Sequence, residues 1–163
     1  MDEIIWMKCD RLMKKQFFMG KFWRYDVIVK YMFIDSFYRN DKTTDFDCTS
    51  YDKLYKGISK NKRIKAEDFV PLILSFEKIG YDANYPINVG KKGRYLCGGS
   101  HRLACCLWFN IKKIPVVIHP KCTRKPERFS GSWMRKKGFT DSMGEIKKVK
   151  RKIFMRLGII KHE

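Results

Sequence analysis

The chain lacks the tracts that mark disordered or fibrous proteins: its 163 residues contain no Ser-, Gly- or Pro-rich run and no internal repeat. Apolar residues make up 44% and aromatics 15%, enough to bury one sizeable core at this length. Long apolar runs are missing as well. The longest stretch without a charged residue, Leu103 to Ile111, covers nine positions, about half of the roughly 20 that a membrane-spanning helix needs. The amino terminus meets Asp2 and Glu3 at once and lacks an apolar segment with a small-residue cleavage site. It does not read as a secretory signal, and a cytoplasmic protein is expected. The six cysteines include no CxxC pair and no zinc-finger spacing, so they are expected to be reduced and structural. His119 and His162 stand alone and read as surface or strand-end residues rather than metal ligands.

Acidic residues are scarce. Lys and Arg total 36 against 17 Asp and Glu, a formal charge of +19, which points to an anionic partner. Nucleotide, nucleic acid, an acidic membrane surface and an anionic saccharide all answer to such a field. From Lys121 to Glu163 there are 14 basic and 4 acidic side chains, a solvated cationic face near the carboxyl end.

Periodicity supplies the elements. Trp23, Val27, Tyr31 and Ile34 recur at helical spacing, and the polar segment Asn40 to Lys62 reads as a loop or a short irregular insertion. A helix follows with Asp68 as its cap, Pro71 in its first turn, the apolar stripe Phe69, Leu72, Ile73, Phe76 and Ile79, and a stop at Gly80. Tyr85 to Val89 and Arg94 to Cys97 form a hairpin around Gly90, Lys91, Lys92 and Gly93. Ser100 or a neighbour opens a buried helix that runs through Phe109 to a left-handed cap at Asn110. Ile114 to Ile118 is a β-branched strand in which Pro115 signals an edge or a strand start. A last helix, from about Ser142 to Leu157, carries Ile146, Val149, Ile153 and Leu157 on one face, six Lys/Arg residues around the rest, and Gly158 at its end. Trp133 and Phe139 flank the basic run Arg135-Lys136-Lys137 and either anchor the tail to the core or line an acceptor pocket.

The chemistry concentrates at Gly98-Gly99-Ser100-His101-Arg102, between a strand and a helix. Glycine permits positive φ and close backbone approach, and the amides at a helix start point outward with a favourable dipole. Arg102 adds a planar fork for two phosphate oxygens, and His101 is a donor or an acid near neutral pH. Steric demand at a strand-to-helix turn explains the glycines equally well.

Taken with Pro86-Ile87-Asn88-Val89 before it, Leu103-Ala104-Cys105 after it, then Asn110 and Ile114-Pro115-Val116, this pentad resembles the signature of the ParB/sulfiredoxin superfamily over about Arg63 to Ile118. The resemblance implies an α+β fold, a small mixed sheet with surrounding helices, and a single domain spanning 1–163. Its core is 63–118, with an N-terminal helical extension over 1–62 and a basic helical extension over 119–163. It also implies a nucleotide, ATP by analogy, held with Mg²⁺ by Gly98, Gly99, Ser100, His101 and Arg102. Ser75 and Lys65 of the preceding helix are further phosphate contacts by the same analogy. Sulfiredoxins carry a redox cysteine where this chain has Ser100, whose hydroxyl cannot do thiolate exchange. ParB partition proteins carry an acidic-basic loop at this place and a following DNA-binding module that this chain lacks, while free-serine kinases carry a similar His-Arg loop. The leading expectation is therefore an ATP-dependent phosphotransferase acting on a small-molecule or saccharide hydroxyl. In it, His101 and Arg102 act at the transferring phosphoryl, and Glu67, Asp68 or Asp82 orients the acceptor. A ParB-like DNA-binding or nuclease protein and a non-catalytic nucleotide-binding regulator are the alternatives.

Overall fold

The computed structural model describes residues 3–18, 23–56, 64–91, 95–122 and 128–161. Strand β1 (Ile4–Lys8) runs directly into helix α1 (Cys9–Phe18), and α2 (Tyr25–Arg39) follows. The short α3 (Thr49–Lys53) and then α4 (Ala66–Ile79) precede the hairpin of β2 (Ile87–Val89) and β3 (Leu96–Gly98). Next come α5 (Ser100–Trp108), β4 (Lys113–Ile118), α6 (Gly131–Met134), a π-helical turn at Arg135–Phe139 and α7 (Met143–Arg156). The fold is mixed α/β, with one four-stranded sheet in the order β1-β4-β2-β3. β4 is antiparallel to β1 and parallel to β2, and β2 is antiparallel to β3.

α2 is the helix about which the rest packs. Val27, Ile28, Val29, Phe33, Ile34 and Phe37 are all buried, too many directions for a helix with one wet face, and apolar character all round is the mark of a core helix. Of the expected stripe, Val27 and Ile34 are buried and Tyr31 is half-buried, whereas Trp23 precedes the helix start. α5 is its neighbour, short and apolar, with Leu103, Ala104, Cys105, Cys106 and Leu107 buried. One apolar cluster joins Met7 of β1 to Phe154 of α7, so the segments read as extensions contribute to the same core, and the amino-terminal one begins with a strand rather than a helix.

Several expectations need correcting. α4 starts at Ala66 with Lys65 in the cap position and no side-chain cap, so Asp68 is the third helical residue rather than the cap, and Pro71 the sixth. The proline lies beyond the first turn and removes the bond its N–H would have made to Glu67. Phe69, Ile73 and Phe76 are buried as expected, but Ile79 is 63% exposed, and Gly80 at φ +72° ends the helix. The polar stretch after α2 is not all loop, since α3 carries Tyr51 and Leu54 into the core. Residues 57–63 lie outside the described residues, as do Lys92, Gly93, Arg94 and His162.

Pro115 sits on an interior strand, not an edge. The register explains why it is tolerated. The amide of His119 points at β2, bonding the Val89 carbonyl at 2.8 Å, so by the period of two that of position 115 faces the same way. β2 pairing begins only at Val116, and the missing N–H falls where no partner strand runs.

The cysteines also depart from expectation. Cys97 and Cys122 are joined in a disulfide with Cα atoms 6.4 Å apart, while Cys9, Cys48, Cys105 and Cys106 are free. Nothing local signals this pairing. It arises because the chain leaving β4 doubles back beside β3, where the Tyr95 hydroxyl donates to the Cys122 carbonyl. Burial pushes the Cys9 thiol up to about 12, which keeps it protonated and unreactive.

Candidate functional site

The β3–α5 turn is built by glycine. Gly99 has φ +93°, and a Cβ there would stand 3.0 Å from Ile87 Cγ1 and 3.3 Å from Ile87 Cα. Conformation and packing against β2 both demand a bare backbone. Ser100 then opens α5, and the first helical bond runs from the Leu103 amide to the Gly99 carbonyl at 2.9 Å. The amides of Ser100, His101 and Arg102 therefore have no carbonyl partner within the helix, and among the described residues no side-chain cap is made to them. They form its positive end.

Beneath this corner lies a charge cluster supplied by α2 and the residue before it. Arg24 grips Asp26 with two bonds of 2.6 Å, and the Lys30 ammonium lies 3.0 Å from the same carboxylate. Lys30 also donates to the Ser100 hydroxyl at 2.6 Å, and Arg24 to the Leu96 carbonyl at 3.0 Å. All three side chains are buried, Asp26 completely. The spacing of Asp26 and Lys30 is one helical turn, which stacks them on a single face. The Phe129 ring closes the cluster from the carboxyl-terminal segment, with Arg24 and Arg128 each 5.1 Å and Lys30 5.9 Å from its centre. Charges taken out of water this way need close partners to be tolerated, and here two cations share one carboxylate among the described residues.

The predicted site residues divide into three groups. Gly98, Gly99, Ser100 and Arg102 meet at the corner, with Arg102 on its rim, 5.5 Å over the Tyr85 ring. His101 turns inward. Its Nε2 lies 2.8 Å from the Tyr51 hydroxyl and 3.0 Å from that of Tyr55, and Phe69 packs edge-on at 4.6 Å. Burial first, then the Lys30 charge, pushes its pKa well below the ordinary 6.5, so the ring is neutral and positions the tyrosines. The third group is on α4. Lys65, Glu67 and Asp68 are exposed at its start, one residue or a few beyond Ile64, whose carbonyl accepts the Tyr51 hydroxyl at 2.9 Å. The Glu67 charge is felt by Cys48 and Asp52, and that of Asp68 by Tyr51. Ser75 lies about 9 Å further along α4 than Phe69, the residue that touches His101, and its neighbour Phe76 stacks on Phe109 at the opposite end of α5. The structure does not bring Ser75 to the corner. Asp82 accepts the Asn84 amide at 3.0 Å, a turn contact.

No family model, no curated protein and no solved structure matches the chain. The site is therefore read from its own geometry. Among the described residues no group of three His, Cys, Asp or Glu is placed to hold a metal ion. A Mg²⁺ would thus depend on phosphate and water oxygens for most of its shell, as that ion commonly does. The basic face of α7 is partly turned inward. Lys150 lies 5.0 to 5.6 Å over the rings of Phe17, Trp23, Tyr25 and Phe154, where burial lowers its pKa, and Arg156 donates to the Leu107 carbonyl. Trp133 packs 4.8 Å from Phe129, and Phe139 is fully buried, so both anchor the tail.

Sequence reasoning missed Arg24, Asp26 and Lys30, the residues that organise the corner. Their signal was present: three charges at positions 24, 26 and 30 in and just before the apolar first half of the helix, a pattern that costs stability unless the charges meet one another.

Asp26→Ala should leave Arg24 and Lys30 without their carboxylate and lower the free energy of unfolding in urea by about 3–5 kcal/mol; a loss below about 1 kcal/mol would mean that water screens the cluster. His101 sets a pH dependence. Its folded pKa is depressed, so the unfolded chain binds the extra proton first. Its contribution to stability is complete above about pH 6.5 and declines as pH falls below that, by up to about 1.4 kcal/mol per unit. Urea unfolding at a series of pH values from 7.5 to 5 should show that slope in the wild type and a flatter one in His101→Gln.

Proposed function

We propose that the protein binds a nucleoside triphosphate, ATP in the first instance, with its phosphates against the amides of Ser100, His101 and Arg102. One observation carries the reading: a buried lysine ammonium 2.6 Å from the Ser100 hydroxyl, at the positive end of α5. Helix dipole, unsatisfied amides and a desolvated cation act in one direction there, and each favours an anion. Arg102, on the rim, supplies the two-pronged contact that suits phosphate oxygens. The finer fold assignment, ParB/sulfiredoxin-like, belongs to the same proposal. It is supported by the order of hairpin, double glycine, short helix and strand, and by the residues Gly99-Ser100-His101-Arg102 that carry the resemblance.

The reading extends to phosphoryl transfer onto a small-molecule or saccharide hydroxyl, with the chain's own part mainly positional. Amides and Arg102 would spread the charge of the transferring group, and a bound Mg²⁺ would supply further neutralisation through phosphate oxygens. Ser100, engaged by Lys30, is a phosphate-side hydroxyl rather than a nucleophile. His101, neutral and turned to Tyr51 and Tyr55, is not the proton acceptor. That role is left to a carboxylate at the α4 start, Glu67 or Asp68, exposed beside Ile64, whose carbonyl holds the Tyr51 hydroxyl.

Calorimetric titration with ATP and Mg²⁺, beside detection of ADP over a panel of hydroxyl compounds, tests both levels. Arg102→Ala should weaken ATP binding about 10- to 150-fold, the range for losing a charged hydrogen-bonding partner. Equal affinity in the two proteins removes Arg102 from the role, and ATP binding without ADP release over the whole panel leaves a nucleotide-binding regulator instead of a kinase.

A further inference from the structure

The sheet has a second cationic feature, well apart in sequence from the β3–α5 turn. β1 is an edge strand, and beside it runs a groove of about 610 Å³ lined by Trp6, Lys8, Arg11, Lys15, Lys113 and Ile118 among others. That volume is within the range of ligand sites. Trp6 is 59% exposed, an unusual position for the largest side chain on a short strand. Lys8 stands directly opposite Lys113 in the β1–β4 register. Like charges facing across strands are destabilising, and an anion between them would relieve the repulsion. Arg11 and Lys15 are one turn apart on α1, so they continue the same positive line. Among the described residues no acid lines the groove, and Asp10, next to Arg11 in α1, is already bonded to the Arg11 amide at 2.7 Å.

We infer that this groove binds single-stranded nucleic acid, with a base stacked on Trp6 and successive phosphates running past Lys8, Lys113, Arg11 and Lys15. The chemistry matches on both counts. An exposed aromatic face takes any base, and a row of cations follows the backbone without reading sequence. A compact anion such as free phosphate would need no indole, and a rigid duplex would not offer an unstacked base to it. Charged residues along an edge also discourage strand pairing with other chains, but that purpose is served without an exposed tryptophan between them. The inference is independent of nucleotide binding at the β3–α5 turn.

Fluorescence anisotropy with fluorescein-labelled (dT)12 and (U)12 at 50, 100 and 200 mM NaCl is the test, with a 12-base-pair duplex and phosphatidylserine-containing vesicles as comparators. The expected result is binding of at least one oligonucleotide that Trp6→Ala weakens about 5- to 150-fold. Lys8→Ala and Lys113→Ala should each reduce the slope of log K against log salt by about 0.7. These side chains are exposed, so folding should survive, and a wild-type circular-dichroism spectrum with a urea midpoint no lower than that of the wild type in each variant will check it. Oligonucleotide affinity unaffected by Trp6→Ala, duplex binding as tight as single-strand binding, or vesicle binding that depends on Trp6 while neither oligonucleotide binds would each overturn the inference.

Discussion

The Lys30 ammonium, held between the Asp26 carboxylate and the Ser100 hydroxyl, is the contact on which the arrangement of the molecule turns. It crosses 70 residues of sequence and fastens the core helix to the turn where β3 gives way to the start of α5. Arg24 repeats the tie at the neighbouring strand through the Leu96 carbonyl. Remove the cluster, and α2 and α5 still have apolar faces to bury, but the polar ties from α2 to Ser100 and from Arg24 to Leu96 are lost. Burying three charges is costly. Hydrocarbon in these positions is often the more stable choice, and the charges instead set a positive potential under the glycine turn.

Position and chemistry are linked through that contact. Glycine at 99 lets β2 approach closely, which sets α5 with its first amides facing out of the helix end. The cation beneath then adds to the dipole instead of opposing it. His101 takes the opposite direction, inward to Tyr51, Tyr55 and Phe69, and so couples the turn to α3 and the start of α4. Two adjacent residues of one motif thus do different work: Arg102 faces the rim, and His101 holds together the wall behind it. A replacement of Ser100 by cysteine in this environment would place a thiol beside an ammonium, a setting that lowers thiol pKa; the hydroxyl that stands there has no such chemistry.

How much of this was legible in the sequence depends on whether the controlling interaction was local. The helices over 66–79, 100–108 and 143–156 were readable because their apolar residues recur at 3.6 and glycine or asparagine with positive φ closes them. The hairpin and the Gly98–Arg102 turn were readable from short runs of strand formers set beside glycines. α3 was not, because its five residues inside a polar segment carry only Tyr51 as an apolar mark, with Leu54 just beyond its end. Asp68 looked like a cap because aspartate commonly is one, yet the helix begins two residues earlier and tolerates Pro71 inside. Pro115 suggested an edge, and only the strand register shows that its missing amide is harmless. The Cys97–Cys122 bond and the cluster of Arg24, Asp26 and Lys30 with Ser100 depend on contacts distant in sequence, which no window of composition or periodicity reports. The pentad itself was found, but the direction of each of its side chains was not, since Cα–Cβ orientation at a helix start is set by the packing of the strand before it.

The central claim is that the β3–α5 corner is an anion seat formed jointly by free amides and a buried cation. A ¹⁵N-resolved NMR titration of the folded chain with ATP reads it most directly. The account predicts saturable shifts in the amides of Gly99, Ser100, His101 and Arg102, accompanied by the Lys30 ammonium. Shifts confined to other surfaces, or changes at the corner that never saturate, would contradict it.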